Sequence, residues 1–239
     1  MRLHRFYTKT PITTETFDIS DSELVHQWKS VFRYNVGSQV IIFDGFGQDF
    51  LCLISSLRNQ GATLVVIQKM NPPAQAGAGE KPKLNIWLCL ALIKKDNFEL
   101  SVQKTTELGV NHIVPVLCER SEKKNLNMER LEKIAVEASE QSGRGDVPKI
   151  HDVVKFSELL DKDLLPNRVI YFDLAGVALK AITKEDSLSD IAVFIGPEGG
   201  WSDAEIAQFK SHNIQAVTLG TQTLRAETAV IAATSLLLL

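Results

Sequence analysis

The sequence predicts an α/β chain in two parts, a small β-barrel of about 70 residues followed by a larger domain built on a parallel sheet. Three observations predict it. Short apolar runs separated by turn residues crowd the first seventy positions. Residues 71–82, NPPAQAGAGEKP, have the Pro, Gly and Ala content of a linker. Beyond them, apolar runs alternate with helical patterns, the rhythm of strands covered by helices on both faces. The boundary therefore divides residues 1–72 from residues 73–239.

Before the linker, residues 39–44 (QVIIFD), 50–57 (FLCLISSL) and 62–68 (ATLVVIQ) read as strands. Asp44-Gly45 supplies hairpin turn chemistry between the first two. After the linker, residues 84–92 (LNIWLCLAL) form a continuous apolar run, and residues 96–108 read as helix. HIVPVL at 112–117 is the next strand. Residues 128–141 are amphipathic, with Met128, Leu131, Ile134, Ala135 and Ala138 on one face. RVIYF (168–172), IAVFI (191–195) and AVTL (216–219) are further buried strands. The apolar tail 229–239 suits a helix at a dimer interface and equally one in the core.

At 239 residues, 44% hydrophobic and 23% charged, the chain has enough apolar surface for one or two cores. No apolar run reaches the ~18 residues of a membrane span, and the opening MRLHRFYTKTP lacks the apolar stretch of a secretory signal. Cys52, Cys89 and Cys118 are widely separated, so they read as buried hydrophobes in a reducing cytoplasm. The five histidines show no ligand spacing, so no metal is expected. Net charge is −3, and residues 151–239 hold the acidic excess, twelve Asp/Glu against seven Lys/Arg. The first two-thirds are left free to present a basic face.

Two glycine-bearing segments carry the chemistry. IGPEGGWSDAEI (195–206) and LGTQTLRAETA (219–229) each follow a buried strand and open into a helix. Ser202 and Glu205 form an S-x-x-E capping box, with Trp201 and Ile206 at the hydrophobic-staple positions. GPEGG is thus a strand-to-helix turn in which Gly199 and Gly200 let a ligand approach the main chain. The same turn also suits a plain connection with no ligand. No Gly-Lys-Ser/Thr follows, and no G-x-G-x-x-G stands between strand and helix, which excludes a P-loop and a dinucleotide fold. Two such loops together predict one backbone-lined site.

The pair IGPEGGxSxxE and LGxxxLRxETA resembles the SPOUT-class methyltransferases, in particular the RsmE family of ribosomal RNA uridine-N3 methyltransferases. QKTTELGV (103–110), ERS (119–121) and EASEQS (137–142) with Arg144 and Pro148 are similar to the same family, as are Arg2-x-x-Arg5-Phe6 and Val31-Phe32-Arg33. The resemblance implies a PUA-like barrel that helps hold RNA and a C-terminal domain with a deep trefoil knot, a topology that general chain-path rules disfavour. It further implies a cytoplasmic homodimer that binds S-adenosylmethionine and acts on 16S ribosomal RNA, within the assembled small subunit.

Carried onto this chain, the resemblance places the cofactor against Ile195, Gly196, Pro197, Glu198, Gly199, Gly200, Leu219, Gly220, Thr223, Leu224, Thr228 and Ala229. Leu174 and Ala175 form a third wall. Arg225 is expected to steady the charge that spreads over the uracil carbonyls once N3 loses its proton. Glu227 is either a general base or an anchor for its loop. RNA contacts are expected from Arg2, Arg5, Arg33, Lys94, Lys95, Arg120, Lys123, Lys124 and Arg144, mostly to phosphate and shape. A silent RNA-binding assembly factor on the same fold is the alternative, and the two intact loops argue against it.

Overall fold

The computed structural model describes residues 3–73, 84–121, 125–160, 164–179 and 189–239. Residues 74–82 of the expected linker, and Arg2, Lys123 and Lys124, lie outside them. The chain divides into two compact units, Met1–Gly79 with Ser139–Val147, and Glu80–Ala138 with Pro148–Leu239.

In the first unit, β1 (Arg5–Tyr7), β2 (Thr16–Ile19), β3 (Gln39–Phe43), β4 (Asp49–Leu57) and β5 (Ala62–Met70) form one sheet in the order β1-β3-β4-β5-β2. Only β1·β3 is parallel. Alternation sets the register: Val40, Ile42, Phe50, Cys52, Ile54 and Leu64 all point into one cluster. Helix α1 (Ser22–Ser30) starts at Asp21, whose carboxylate accepts from the Leu24 amide, and it adds Val25 and Trp28 to that cluster. The expected turn is a five-residue loop, 44–48, in which Asp44 accepts from the Phe46 amide and from that of Ile12. Gly45 and Gly47 both have positive φ there. Strands β1 and β2 and helix α1 went unpredicted, because three- and four-residue strands and a helix burying two side chains carry too little periodicity.

In the second unit every strand pair is parallel. The chain runs β6 (Asn85–Ala91), α2 (Lys95–Leu108), β7 (His112–Leu117), α3 (Met128–Ser142), β8 (Lys149–Ile150), β9 (Val154–Lys155), α4 (Phe156–Leu159), β10 (Val169–Ala178), β11 (Asp190–Ile195), α5 (Asp203–Ser211), β12 (Gln215–Thr218) and α6 (Ala226–Leu238). The last residues of α3, from Ser139, belong to the first unit. The sheet order is β12-β10-β11-β6-β7-β8, with β9 also on β7. Its central strands β6 and β11 are buried almost throughout, as their continuous apolar runs require. Gly109, at φ +111°, ends α2 by donating to the Thr105 and Thr106 carbonyls. All three cysteines are buried and reduced, and burial pushes the Cys52 thiol up to about 12.

Strand β10 is irregular. Phe172 and Val177 both pair with Val217, so residues 173–176 leave the ladder and return to it. At Gly176 a side chain would overlap the Val217 backbone, which only glycine permits.

Candidate cofactor site

The carboxyl ends of β10, β11 and β12 open into a cavity of about 490 Å3, the position where open α/β sheets bind ligands. Both glycine loops wall it, and the excursion of β10 closes a third side.

The first loop is built from beneath. Phe156, Tyr171, Phe194, Trp201 and Phe209 form an aromatic cluster under the strand ends, with Tyr171 stacked on Phe209 at 4.1 Å. Trp201 belongs to both cluster and loop, and its indole N–H donates to the Phe172 carbonyl at 2.9 Å. A Cβ at Gly196 would stand 3.0 Å from the Trp201 ring, so any side chain there needs the ring to give way. Helix α5 then begins with the expected capping box: the Ser202 amide donates to Glu205 Oε2 at 2.8 Å, and the Glu205 amide to Ser202 Oγ at 3.3 Å. Gly200 holds φ +71° in the turn, where its amide donates to the Pro197 carbonyl.

The second loop turns at Gly220, φ +146°, while Thr218 Oγ1 bonds both its carbonyl and its amide. Gln222, Thr223 and Leu224 line the cavity, and their amides find no acceptor among the described residues. Arg225 is the N-cap of α6, exposed at the cavity rim, and its side chain has no hydrogen-bond or ion-pair partner among the described residues.

Of the expected cofactor residues, Leu174, Ile195, Gly196, Pro197, Glu198, Gly200, Leu219, Gly220, Thr223, Leu224 and Ala229 line this cavity. Ala175, Gly199 and Thr228 do not. Glu198 also reaches back to accept from the Lys94 amide at 3.2 Å, bracing its loop against the start of α2. Glu227 lies off the cavity, with Oε2 buried and without a hydrogen-bond partner among the described residues. Sequence reasoning missed Phe172, Asp173, Trp201, Val217, Thr218, Gln222 and Ala226 as lining residues. An Asp at the end of an apolar strand was the one signal available. Asp173 accepts from the Ala175 amide at 2.8 Å; burial, and then the Asp173 charge, push the Tyr171 phenol up.

The expected RNA contacts separate. Arg33 is exposed in the left-handed region at φ +56°, next to the stacked pair Phe32 and Tyr34. Lys94 and Lys95 are exposed at the start of α2. The structure places Arg5 and Arg144 inside the first unit rather than on its surface. Arg5 makes a two-pronged pair with Asp49, both contacts 2.7 Å, and donates to the Ser139, Glu140 and Arg144 carbonyls. Arg144 is 5% exposed and pairs with Asp146. Guanidinium groups so desolvated need every donor met, which is what fixes them there. Arg120 packs on the first glycine loop, donating to the Gly199 and Trp201 carbonyls.

Residues 80–238 match the RNA methyltransferase domain family. The chain belongs to that family. Ribosomal RNA small subunit methyltransferase E of Bacillus subtilis is 30% identical, covering 92% of this chain and 88% of its own length. The Rickettsia conorii protein of the same name is 28% identical, covering 98% and 94%. The Neisseria gonorrhoeae methyltransferase E, crystallised with S-adenosylmethionine bound, superposes with a TM-score of 0.83 at 30% identity, covering 98% of this chain and 96% of that one. These matches run through both units, so the RNA methyltransferase family reading applies to the chain as a whole.

Proposed function

We propose that this chain transfers a methyl group from S-adenosylmethionine to N3 of a uridine in 16S ribosomal RNA of the small subunit. The observation that carries the reading is the cavity where the two glycine loops meet, with Arg225 free at its rim, in a chain of the RNA methyltransferase family.

The cavity fits the cofactor. Ile195, Leu219, Leu224 and Ala229 offer an apolar slot for an adenine, and the amides of 222–224, unpaired among the described residues, offer donors. Asp173 and Glu198 place carboxylates where a cationic sulfonium and amino group gain from them. When bound, S-adenosylmethionine supplies an electrophilic methyl and needs no metal.

The chain's own residues do the rest. The loops hold donor and base in line, an effect worth roughly 7–11 kcal/mol when geometry is ideal. Arg225 aims its guanidinium at the negative charge that grows on the uracil carbonyls as N3 loses its proton. Glu227, turned off the cavity, acts through the first turn of α6 rather than on the proton. Reaching N3 requires a base that is unpaired or flipped out.

Within the same reading, the second domain, 73–239, carries a trefoil knot, supported by the likeness to methyltransferase E along its length. The five-stranded sheet with α1 supports a PUA-like, RNA-holding domain at 1–72. Arg33 in that domain, and Lys94 and Lys95 in the second, remain surface cations for phosphate. Leu236, 54% exposed on the apolar helix α6, supports a homodimer. The deciding experiment offers labelled S-adenosylmethionine with assembled small subunits and with naked 16S RNA, then identifies the nucleoside. N3-methyluridine is expected, from subunits above naked RNA. Label on any other nucleoside would sink the reading.

A further inference from the structure

The loop after β7 does something its charge does not suggest. Residues 118–121 make a tight turn, in which the Cys118 amide donates to Ser121 Oγ and the Ser121 amide to the Cys118 carbonyl. From that turn two groups reach the first glycine loop. The Glu119 amide donates to Glu205 Oε1 at 2.9 Å, and Glu205 is only 5% exposed. Arg120 Nη1 lies 3.1 Å from the Gly199 carbonyl and 3.1 Å from that of Trp201.

The stem of Arg120 fits the loop as closely as its tip. A Cβ on Gly199 would meet Arg120 Cβ at 3.2 Å and Cδ at 3.5 Å. Gly199 is the one residue of 195–201 that does not line the cavity, while Glu198 and Gly200 on either side of it do. Arg120 is absent from the lining too, so it backs the loop from the side away from the ligand. Several of the loop's polar main-chain groups are thereby assigned: the Gly199 and Trp201 carbonyls to Arg120, the Gly200 amide to Pro197 and the Ser202 amide to Glu205. Charge-assisted bonds of this kind are the stronger sort, and removing the donor leaves two carbonyls to water.

We propose that Arg120 is a positioning residue for the cofactor loop, setting the shape of GPEGG from behind, rather than a contact to RNA. The inference rests on the reading of this cavity as the S-adenosylmethionine site.

The test measures cofactor affinity by calorimetry on the full chain without RNA. Arg120→Ala should weaken S-adenosylmethionine binding about tenfold, and Arg120→Lys, which keeps one cationic donor, should recover part of it. In steady state the KM for cofactor should rise while kcat at saturating cofactor and the KM for RNA stay within twofold. Gly199→Ala, which pushes on the arginine stem, should reproduce the affinity loss. Unchanged cofactor affinity in Arg120→Ala, with a raised KM for RNA and a salt slope lowered by about one, would overturn the proposal in favour of a phosphate contact. Failure of the unaltered protein to bind S-adenosylmethionine would instead sink the reading of the cavity.

Discussion

The Trp201 indole N–H donates to the Phe172 carbonyl at 2.9 Å, joining the first residue beyond GPEGG to the point where β10 leaves its ladder. One side chain thus sets two walls of the cavity. Trp201→Phe keeps an aromatic ring in the cluster but removes the donor and part of the buried ring. It should cost about 2–3 kcal/mol of stability and weaken cofactor binding as well. Urea denaturation and calorimetry on the same variant separate the two, and unchanged binding would mean the walls are set elsewhere.

Arg225→Ala should lower turnover by about 10²–10³-fold while cofactor binding persists, because the guanidinium is exposed at the rim and engaged with no protein group among the described residues. Single-turnover methyl transfer reads the chemical step directly. A rate equal to the parent's would remove Arg225 from the mechanism.

The glycines of the first loop should fail for different reasons. Gly196→Ala meets the Trp201 ring at 3.0 Å and should disturb the cavity without backbone strain. Gly200→Ala has open space but a φ of +71°, so it should cost roughly 1–2 kcal/mol of stability with the weaker effect on cofactor affinity. A reversed order in the calorimetric affinities would contradict this division.

Asp49→Ala should destabilise the first unit by about 3–5 kcal/mol. It leaves Arg5, whose side chain is 7% exposed, a buried charge without its carboxylate. Denaturant unfolding followed by tryptophan fluorescence reports this through Trp28, which packs edge-on against Phe6 at 5.4 Å. A change under 1 kcal/mol would mean that Arg5 escapes to solvent.

Stability should fall on acidification below neutrality. His112 stacks on Trp87 at 3.8 Å, and its Nδ1 lies 3.2 Å from His151 Nε2. Burial, then His151 and Lys149, lowers the His112 pKa from 6.5 to about 4, while Asp190 opposes. Burial and Lys149 lower that of His151 against Asp152. The unfolded chain therefore binds these protons first, so stability is complete above 6.5 and is lost as pH falls toward 4. Melting temperatures across that window should drop, and His112→Phe should flatten the drop. An equally steep profile in the variant would assign the effect to other groups.

Much of the second unit was legible because its signals are local. Continuous apolar runs mark buried parallel strands, and Ser202 with Glu205 announces the start of α5 from four residues alone. The Arg-rich part was not legible. Arg5, Arg120 and Arg144 look alike as surface cations in a string of letters. Asp49 and Gly199 lie 44 and 79 positions from Arg5 and Arg120; Asp146 is only 2 from Arg144, but nothing in a local pattern says that this pair is buried. Glu227 shows the same limit, since its helix position was predictable but the side it faces was not.

The amino-acid sequence by itself determined the longer strands, the capped turn at Ser202 and the two glycine loops, because backbone geometry and burial period act over a few residues. Only the tertiary structure decided that the excursion of β10 makes the third wall, that Trp201 ties it to the first loop, and which arginines are free. Those outcomes depend on desolvation and on contacts between strand ends far apart in the chain, and such contacts exist only once the sheet has formed.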